Sequence, residues 1–333
     1  QFYLTQLTMT AYYSVVVLGL CLLMGYAGQI SIGHAGFFAI GGYLSALFTT
    51  YDLTPFRDGP AVRTLHALRV LMEREDLYGG AVLHLKPWPA CIIAVGTAVV
   101  IAWLIAGPVL RLKGHYLAMA TLGFGVIVFR VVLGTSIFGE ADGISEVPGF
   151  PLIPGLTVSG SLSARVSNYY IAWGLVVFTM WSLLNLVDSR VGSALKSIHG
   201  AEDAARAVGV DTARFKLKTF VLSAALAAVA GVFLTHYNGG IGPSEASVMK
   251  SVRYVALVAV GGMANLWGAL VMSAVLNFLS LRGYFGSMDD AVFGAILIFI
   301  MLFAPEGLIG KHVVDRVKRA VSGARRGSGH ASS

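Results

Sequence analysis

Apolar runs recur along the chain at about 7–27, 30–50, 88–110, 114–137, 168–188, 215–237, 251–281 and 289–304, separated by polar or turn-rich connections. Most are close to the roughly 20 residues that cross a hydrocarbon core of about 30 Å. The pattern therefore predicts an all-α, polytopic integral membrane protein of about 8–9 transmembrane or half-membrane helices. One run is different. Residues 251–281 break at Gly261-Gly262-Met263-Ala264-Asn265, leaving arms of about 10 and 16 residues. At about 1.5 Å per residue these arms are short for full crossings. They read either as half-helices or a re-entrant hairpin held inside the protein, or as two sharply tilted crossings.

The run from Gly25 to Tyr43 is apolar yet studded with Gly, Ser, Gln and His. Ser31, Ala35, Ala39, Gly42 and Ala46 fall on one helical face, and a stripe of small residues lets a second helix approach closely in lipid. Gln29, Ser31 and His34 cluster at one end of it, where polar groups in a membrane call for a reason. A packing seam and a conduction path both fit this pattern. His34 reads as a hydrogen-bonding helix-end residue rather than a proton relay.

Charge then orients the chain. Arg190, Lys196, Arg206, Arg214, Lys216 and Lys218 gather in the 189–218 connection, and Arg111 and Lys113 mark a tight turn. A second basic cluster follows Pro305. By the positive-inside rule these segments are cytoplasmic. Parity places the 51–87 and 138–167 loops outside, together with residue 1, so one N-terminal crossing is expected upstream. In the outer loop, Val62, Leu65, Leu68, Leu71 and Met72 at near-helical spacing predict an amphipathic helix over 57–87, surface-lying or partner-facing.

Composition agrees: the chain is 56% hydrophobic and only 12% charged, against about 25% charged in soluble domains. The net charge of +7 belongs to the loops and tail, which argues against a nucleic-acid partner. Cys21 and Cys91 lie in apolar runs and read as small buried hydrophobes. No phosphate loop, H-E-x-x-H, C-x-x-C or G-x-S-x-G signature occurs, so neither a catalytic residue nor a metal ligand is predicted. Ionisable groups deep in the runs are nearly lacking, Arg130 being the main exception. The segment Glu202-Asp-Ala-Ala-Arg-Ala-Val-Gly209 reads E-x-A-A-x-x-x-G. Its acidic start suits a helix N-terminus, its alanines favour helix, and Gly209 permits the left-handed stop. It is either a stiff helix that seats in a partner or a capped connector.

Six ordered segments carry a resemblance: Gly25–Tyr43, Arg111–Gly123, Asp142-Gly-Ile144 with Val147-Pro148, Glu202–Gly209, Gly261–Gly268 and Phe303-Ala-Pro-Glu-Gly307. Together the chain resembles the LivM-type permease subunit of bacterial branched-chain amino acid ABC importers. The 57–87 loop is longer than that pattern, and Asn265-Leu266-Trp267 stands where a Gly-Thr-Leu-type turn is commoner. The resemblance implies a bacterial inner-membrane importer. Its other parts would be a second, LivH-like permease, two ATP-binding cassette subunits that hold the ATP, and a periplasmic amino-acid-binding protein. This chain would need no cofactor of its own.

Residues 1–310 would then form one permease domain embedded in lipid, with 189–214 the cytoplasmic loop and 311–333 a basic cytoplasmic tail. Glu202, Ala204, Ala205 and Gly209 would form the coupling helix against an ATPase. Gln29, Ser31, Gly33, His34, Gly36, Gly261, Gly262 and Asn265 would line the translocation path or its gates. A urea or short-amide permease of the same superfamily and an ATP-independent channel or carrier are the alternatives.

Overall fold

The computed structural model describes residues 2–56, 70–75, 81–110, 112, 114–153, 155–284 and 286–303. The Val62–Leu68 stretch, Arg111, Lys113, the Pro305–Gly307 motif and the basic tail lie outside the described residues.

The long helices follow the apolar runs closely. They are α1 (Phe2–Cys21), α2 (His34–Thr50), α3 (Pro87–Val109), α4 (His115–Gly134), α5 (Arg165–Asp188) and α8 (Thr212–Asn238). Between the last two lie the short α6 (Arg190–Gly200) and α7 (Glu202–Ala207). The chain ends in α9 (Val248–Gly261), α10 (Leu266–Leu281) and α11 (Asp289–Phe303). Among the described residues five helices are long and apolar enough to cross a membrane, α1 counted together with the π-helical turn Leu22–Tyr26 that extends it.

α1 is the hub. It packs against α5, α8, α9 and α10 and is buried along nearly its whole length. Its contact with α10 is an antiparallel polar ladder. Gln6 Nε2 donates to the Leu281 carbonyl at 2.8 Å, Ser14 Oγ lies 3.1 Å from Ser273 Oγ, and the Tyr26 hydroxyl donates to the Ala264 carbonyl at 2.7 Å. Asn277 Nδ2 adds a 3.0 Å bond to Ser273 Oγ. From Gln6 to Tyr26 the ladder follows α1 for about 30 Å at helical rise. α10 therefore runs antiparallel beside α1 along most of its length. Where the arms meet, Gly261 and Gly268 bring the two backbones into direct contact. Asn265 caps α10, its Oδ1 accepting from the Gly268 N–H at 3.1 Å.

The connections sort to two ends. One end holds the 27–33 connection, α6, α7 and the apex Gly262–Asn265. The other holds, among the described residues, three two-stranded antiparallel pairs. These are β1 (Leu71–Glu75) with β2 (Ala81–Leu85), β3 (Ile144–Ser145) with β6 (Gly240–Ile241), and β4 (Phe150–Ile153) with β5 (Leu156–Val158). This is the sorting that parity of the runs predicts.

Three expectations need correction. Leu71 and Met72 lie in a strand, not an amphipathic helix. Leu71 faces Leu85 across the hairpin, and Leu83 and Leu85, two residues apart, are buried beside Ala90, so a period of two wins over the helical spacing. Ionisable groups within the runs are less scarce than expected: besides Arg130, exposed on α4, Arg253 lies within α9 and pairs with Asp289, its Nη2 2.7 Å from Oδ2. Finally, α2 begins at His34, so Ser31 precedes the helix. The remainder of the stripe, Ala35, Ala39, Gly42 and Ala46, is buried as expected, and α8 reaches α2 at Gly41 and Gly42.

Candidate functional site

α7 is six residues long and would not persist alone, since isolated short helices are unstable in water. Polar bonds to α8 hold it. Glu202 Oε2 accepts from Lys216 Nζ at 2.7 Å, and Glu202 Oε1 accepts from Arg206 Nη2 at 2.8 Å. Arg206 Nε in turn donates to Thr212 Oγ1 at 3.0 Å. Gly209, at φ +87°, lets the chain reverse so that its N–H reaches the Arg206 carbonyl at 2.9 Å. Asp211 then caps α8 through the Arg214 N–H.

This geometry divides the predicted motif. Glu202 and Gly209 secure the helix. Ala205 is buried and faces inward, so it cannot belong to an exposed docking face; its N–H and carbonyl bond to Ala201 and Val210. The outward face comes from Asp203, Ala204, Ala207 and Val208, with Val208 79% exposed. The motif reading missed Val208, although a valine just before the glycine stop of an otherwise polar segment was the available signal.

α6 joins this short helix to the bundle. Ser189 caps it, accepting from the Val191 and Gly192 N–H groups, and Leu195 and Ile198 bury its inner face. Their spacing was visible in the sequence, but the segment read as loop. Lys196 Nζ donates to the Val187 carbonyl at 3.1 Å and sits 6.0 Å from the centre of the Tyr26 ring. A side chain at Gly28 would come within 2.9 Å of His199 Nδ1. On the other side of the same π-helical turn, a side chain at Gly25 would overlap the Ala264 backbone. Ala264 has φ +62°, uncommon for a residue with a Cβ. α7, α6, the π-helical turn and the apex thus form one contiguous stack, and π-helical turns recur at functional positions.

Most of the remaining predicted pathway residues lie in contacts between helices. His34 is fully buried, with Nδ1 3.0 Å from Ser31 Oγ and Nε2 2.8 Å from Ser223 Oγ, and so joins α2 to α8. Gly33 meets the Thr121 carbonyl, and Gly36 meets Phe124 and Gly125, so both admit α4. Gly261 and Gly262 belong to the apex with Asn265. Gln29 stands apart: it is buried, and neither Oε1 nor Nε2 of its side chain has a partner among the described residues.

A bundle of long apolar helices, with a short helix bonded to the first turns of one of them, is the build of a multi-pass membrane protein. The chain belongs to the branched-chain amino acid transport system / permease component family, whose model matches residues 2–301. It is 31% identical over 324 residues to the high-affinity branched-chain amino acid transport system permease protein LivM of Salmonella typhimurium. That alignment covers 91% of this chain and 68% of the relative. It is also 24% identical to the LivH permease of Escherichia coli, over 93% of this chain and 95% of that one. The similarity to BraD of Pseudomonas aeruginosa is 25%, with 93% and 95% covered. No solved structure matches.

Proposed function

We propose that this chain is a membrane-spanning permease subunit of an ATP-binding cassette importer, passing branched-chain, hydrophobic amino acids across a bacterial inner membrane. A second, LivH-like permease would complete the pore, two ATPase subunits would hold the nucleotide, and a periplasmic protein would deliver the solute. The end that holds α6 and α7 faces the cytoplasm in this reading, as its basic residues favour.

The observation that carries it is the lever. α7 offers Asp203, Ala204, Ala207 and Val208 outward while Glu202 and Arg206 fix it to the first turns of α8. A docked ATPase that moves α7 must move α8 with it. Through α6 and the π-helical turn the same displacement reaches the apex, where Gly262 and Ala264 hold positive φ angles. Such an arrangement converts a shear at the cytoplasmic face into a change at the helix break. Gln29, with its buried amide lacking a protein partner, is the predicted pathway residue best suited to meet a passing solute.

The test is a cysteine at Val208 in the assembled transporter, read together with leucine uptake and ATP hydrolysis in proteoliposomes. Cross-linking of Val208→Cys to the ATPase subunit, and loss of uptake with hydrolysis retained in Val208→Asp, are the expected results. Absence of any cross-link, or uptake by this chain without ATPase subunits, would overturn the reading. Urea import in place of leucine import would reassign the solute and keep the lever.

A further inference from the structure

At the end of the bundle opposite the lever, a cavity of about 70 Å³ lies between α2, α8 and the β6 connection. Phe38, Leu234 and Ile241 form its apolar side, and Thr235, Asn238 and Glu245 its polar side. Glu245 is largely buried and is held from one side only. Its Oε1 accepts from the Tyr13 hydroxyl and from Lys250 Nζ, both at 3.0 Å. Its Oε2 is buried and has no partner among the described residues, and neither has Thr235 Oγ1. Thr235 is 1% exposed. Two acceptors thus line a small space, and leaving a buried acceptor unsatisfied is unfavourable.

The chemistry of the walls narrows the occupant. The carboxylate is paired with Lys250 through Oε1, and its other oxygen can accept from a further N–H group. A threonine hydroxyl in the same lining can accept a second N–H. A primary ammonium supplies three donors from one compact centre. The apolar wall then suits the first carbons of an aliphatic substituent. A cavity of 10–15 Å³ holds one water, so about 70 Å³ admits a head group with one or two carbons and not a whole branched amino acid.

We propose that this pocket is a station for the α-ammonium group of the transported amino acid, with Glu245 Oε2 and Thr235 Oγ1 as its acceptors. The proposal rests on the amino-acid permease reading above and adds to it a site and a discriminating group. Solutes of similar shape without an ammonium group would lack this contact.

The experiment uses the purified transporter complex and reads the shift of its thermal midpoint with isopentylammonium, 4-methylpentanoate or urea as the probe. The ammonium probe should raise the midpoint, and the carboxylate and urea probes should not. Glu245→Gln should weaken the response to isopentylammonium at least tenfold in concentration, and the near-isosteric Thr235→Val about threefold. Asp289→Asn removes a carboxylate from the neighbouring Arg253 pair outside the pocket and should leave the response unchanged. Equal responses to all three probes, or equal losses in Glu245→Gln and Asp289→Asn, would overturn the proposal. If Glu245→Gln does not assemble, Thr235→Val decides alone, an unaltered response counting against the pocket. Because binding is read without transport, a complex that imports leucine yet ignores the amine overturns only the pocket. One that binds the amine and imports no amino acid overturns only the functional reading.

Discussion

Two helices of similar length, α1 and α3, show how this bundle distributes its chemistry. α3 is the more apolar, yet most of its surface is uncovered, with Ile92, Val100, Trp103 and Leu104 facing outward. It touches the rest of the chain through Ala90, Ala94, Ala98, Ala102 and Ala106, one residue per turn and all fully buried. α1 is less apolar and almost entirely buried, and it carries Gln6, Thr8, Thr10 and Ser14 inside the protein. A soluble protein would place them the other way round. Lipid accepts leucine and tryptophan as readily as a protein core does, so burial goes to the helix whose polar groups need partners. The contacts that tie α6 and the apex to the bundle are accordingly made on α1 and its π-helical turn, not on the more hydrophobic helix.

The same substitution on each helix breaks or upholds this contrast most sharply. Gly25→Leu drives a side chain into the Ala264 backbone, whereas nothing lies within 4 Å of the Cβ position at Gly96 on α3. Gly25→Leu should cost more than about 3 kcal/mol, the upper end for overpacking, and abolish uptake. Gly96→Leu should stay within about 0.5 kcal/mol in the isolated subunit. Thermal unfolding of both variants in detergent measures the difference, and similar midpoints would refute the contrast. A defect of Gly96→Leu seen only after assembly would mark α3 as the face met by the second permease.

Within α3 the contrast can be tested face against face. Ala98 is fully buried on the alanine stripe, while Val100, two residues on, is 55% exposed. Ala98→Leu should destabilise by about 1–3 kcal/mol because the neighbouring helix cannot retreat. Val100→Leu should be close to neutral. Equal effects in chemical or thermal unfolding would mean that the stripe is not a packing seam.

Much of the fold was legible in the residues because run length and loop charge are local signals. The positions of the long helices and the two-ended sorting of loops follow from them, and the break at Gly261–Asn265 follows from its own glycines and asparagine. The site was legible only in part. Gly209 announced its turn, but burial of Ala205 depends on how α7 lies on α8, which no spacing within the motif encodes. Glu245, Lys250 and Tyr13 escaped notice because the first two flank a short connection and the third lies in a run far away in sequence. The hairpin at β1 and β2 was misread because Leu71 and Met72 continue a helical spacing begun at Val62. Pairing with Leu83 and Leu85, from beyond the loop, decides the matter instead.

A smaller effect probes how α1 reports to the apex. Tyr26→Phe keeps the ring beside Lys196 and removes only the hydroxyl bond to the Ala264 carbonyl. About 1 kcal/mol of stability should be lost. Leucine imported per ATP hydrolysed should fall severalfold if the bond couples lever to apex. Unchanged stoichiometry with the same loss of stability would leave the bond a purely structural tie.

The finest test concerns the polar ladder itself. Ser14 Oγ and Ser273 Oγ lie 3.1 Å apart, and each has a second bond, Ser14 to the Thr10 carbonyl and Ser273 from Asn277. Because either hydroxyl can fall back on its own helix, their mutual bond should be weak even inside a membrane protein. A double-mutant cycle of Ser14→Ala and Ser273→Ala should give a coupling of about 0.6 kcal/mol, the average for bonds between membrane helices. A coupling near zero at Ser14–Ser273 would reduce the ladder to coincident proximity. In that case the burial of α1 would have to be explained by its small and aromatic side chains alone, and the polar rationale for placing it at the centre would fail.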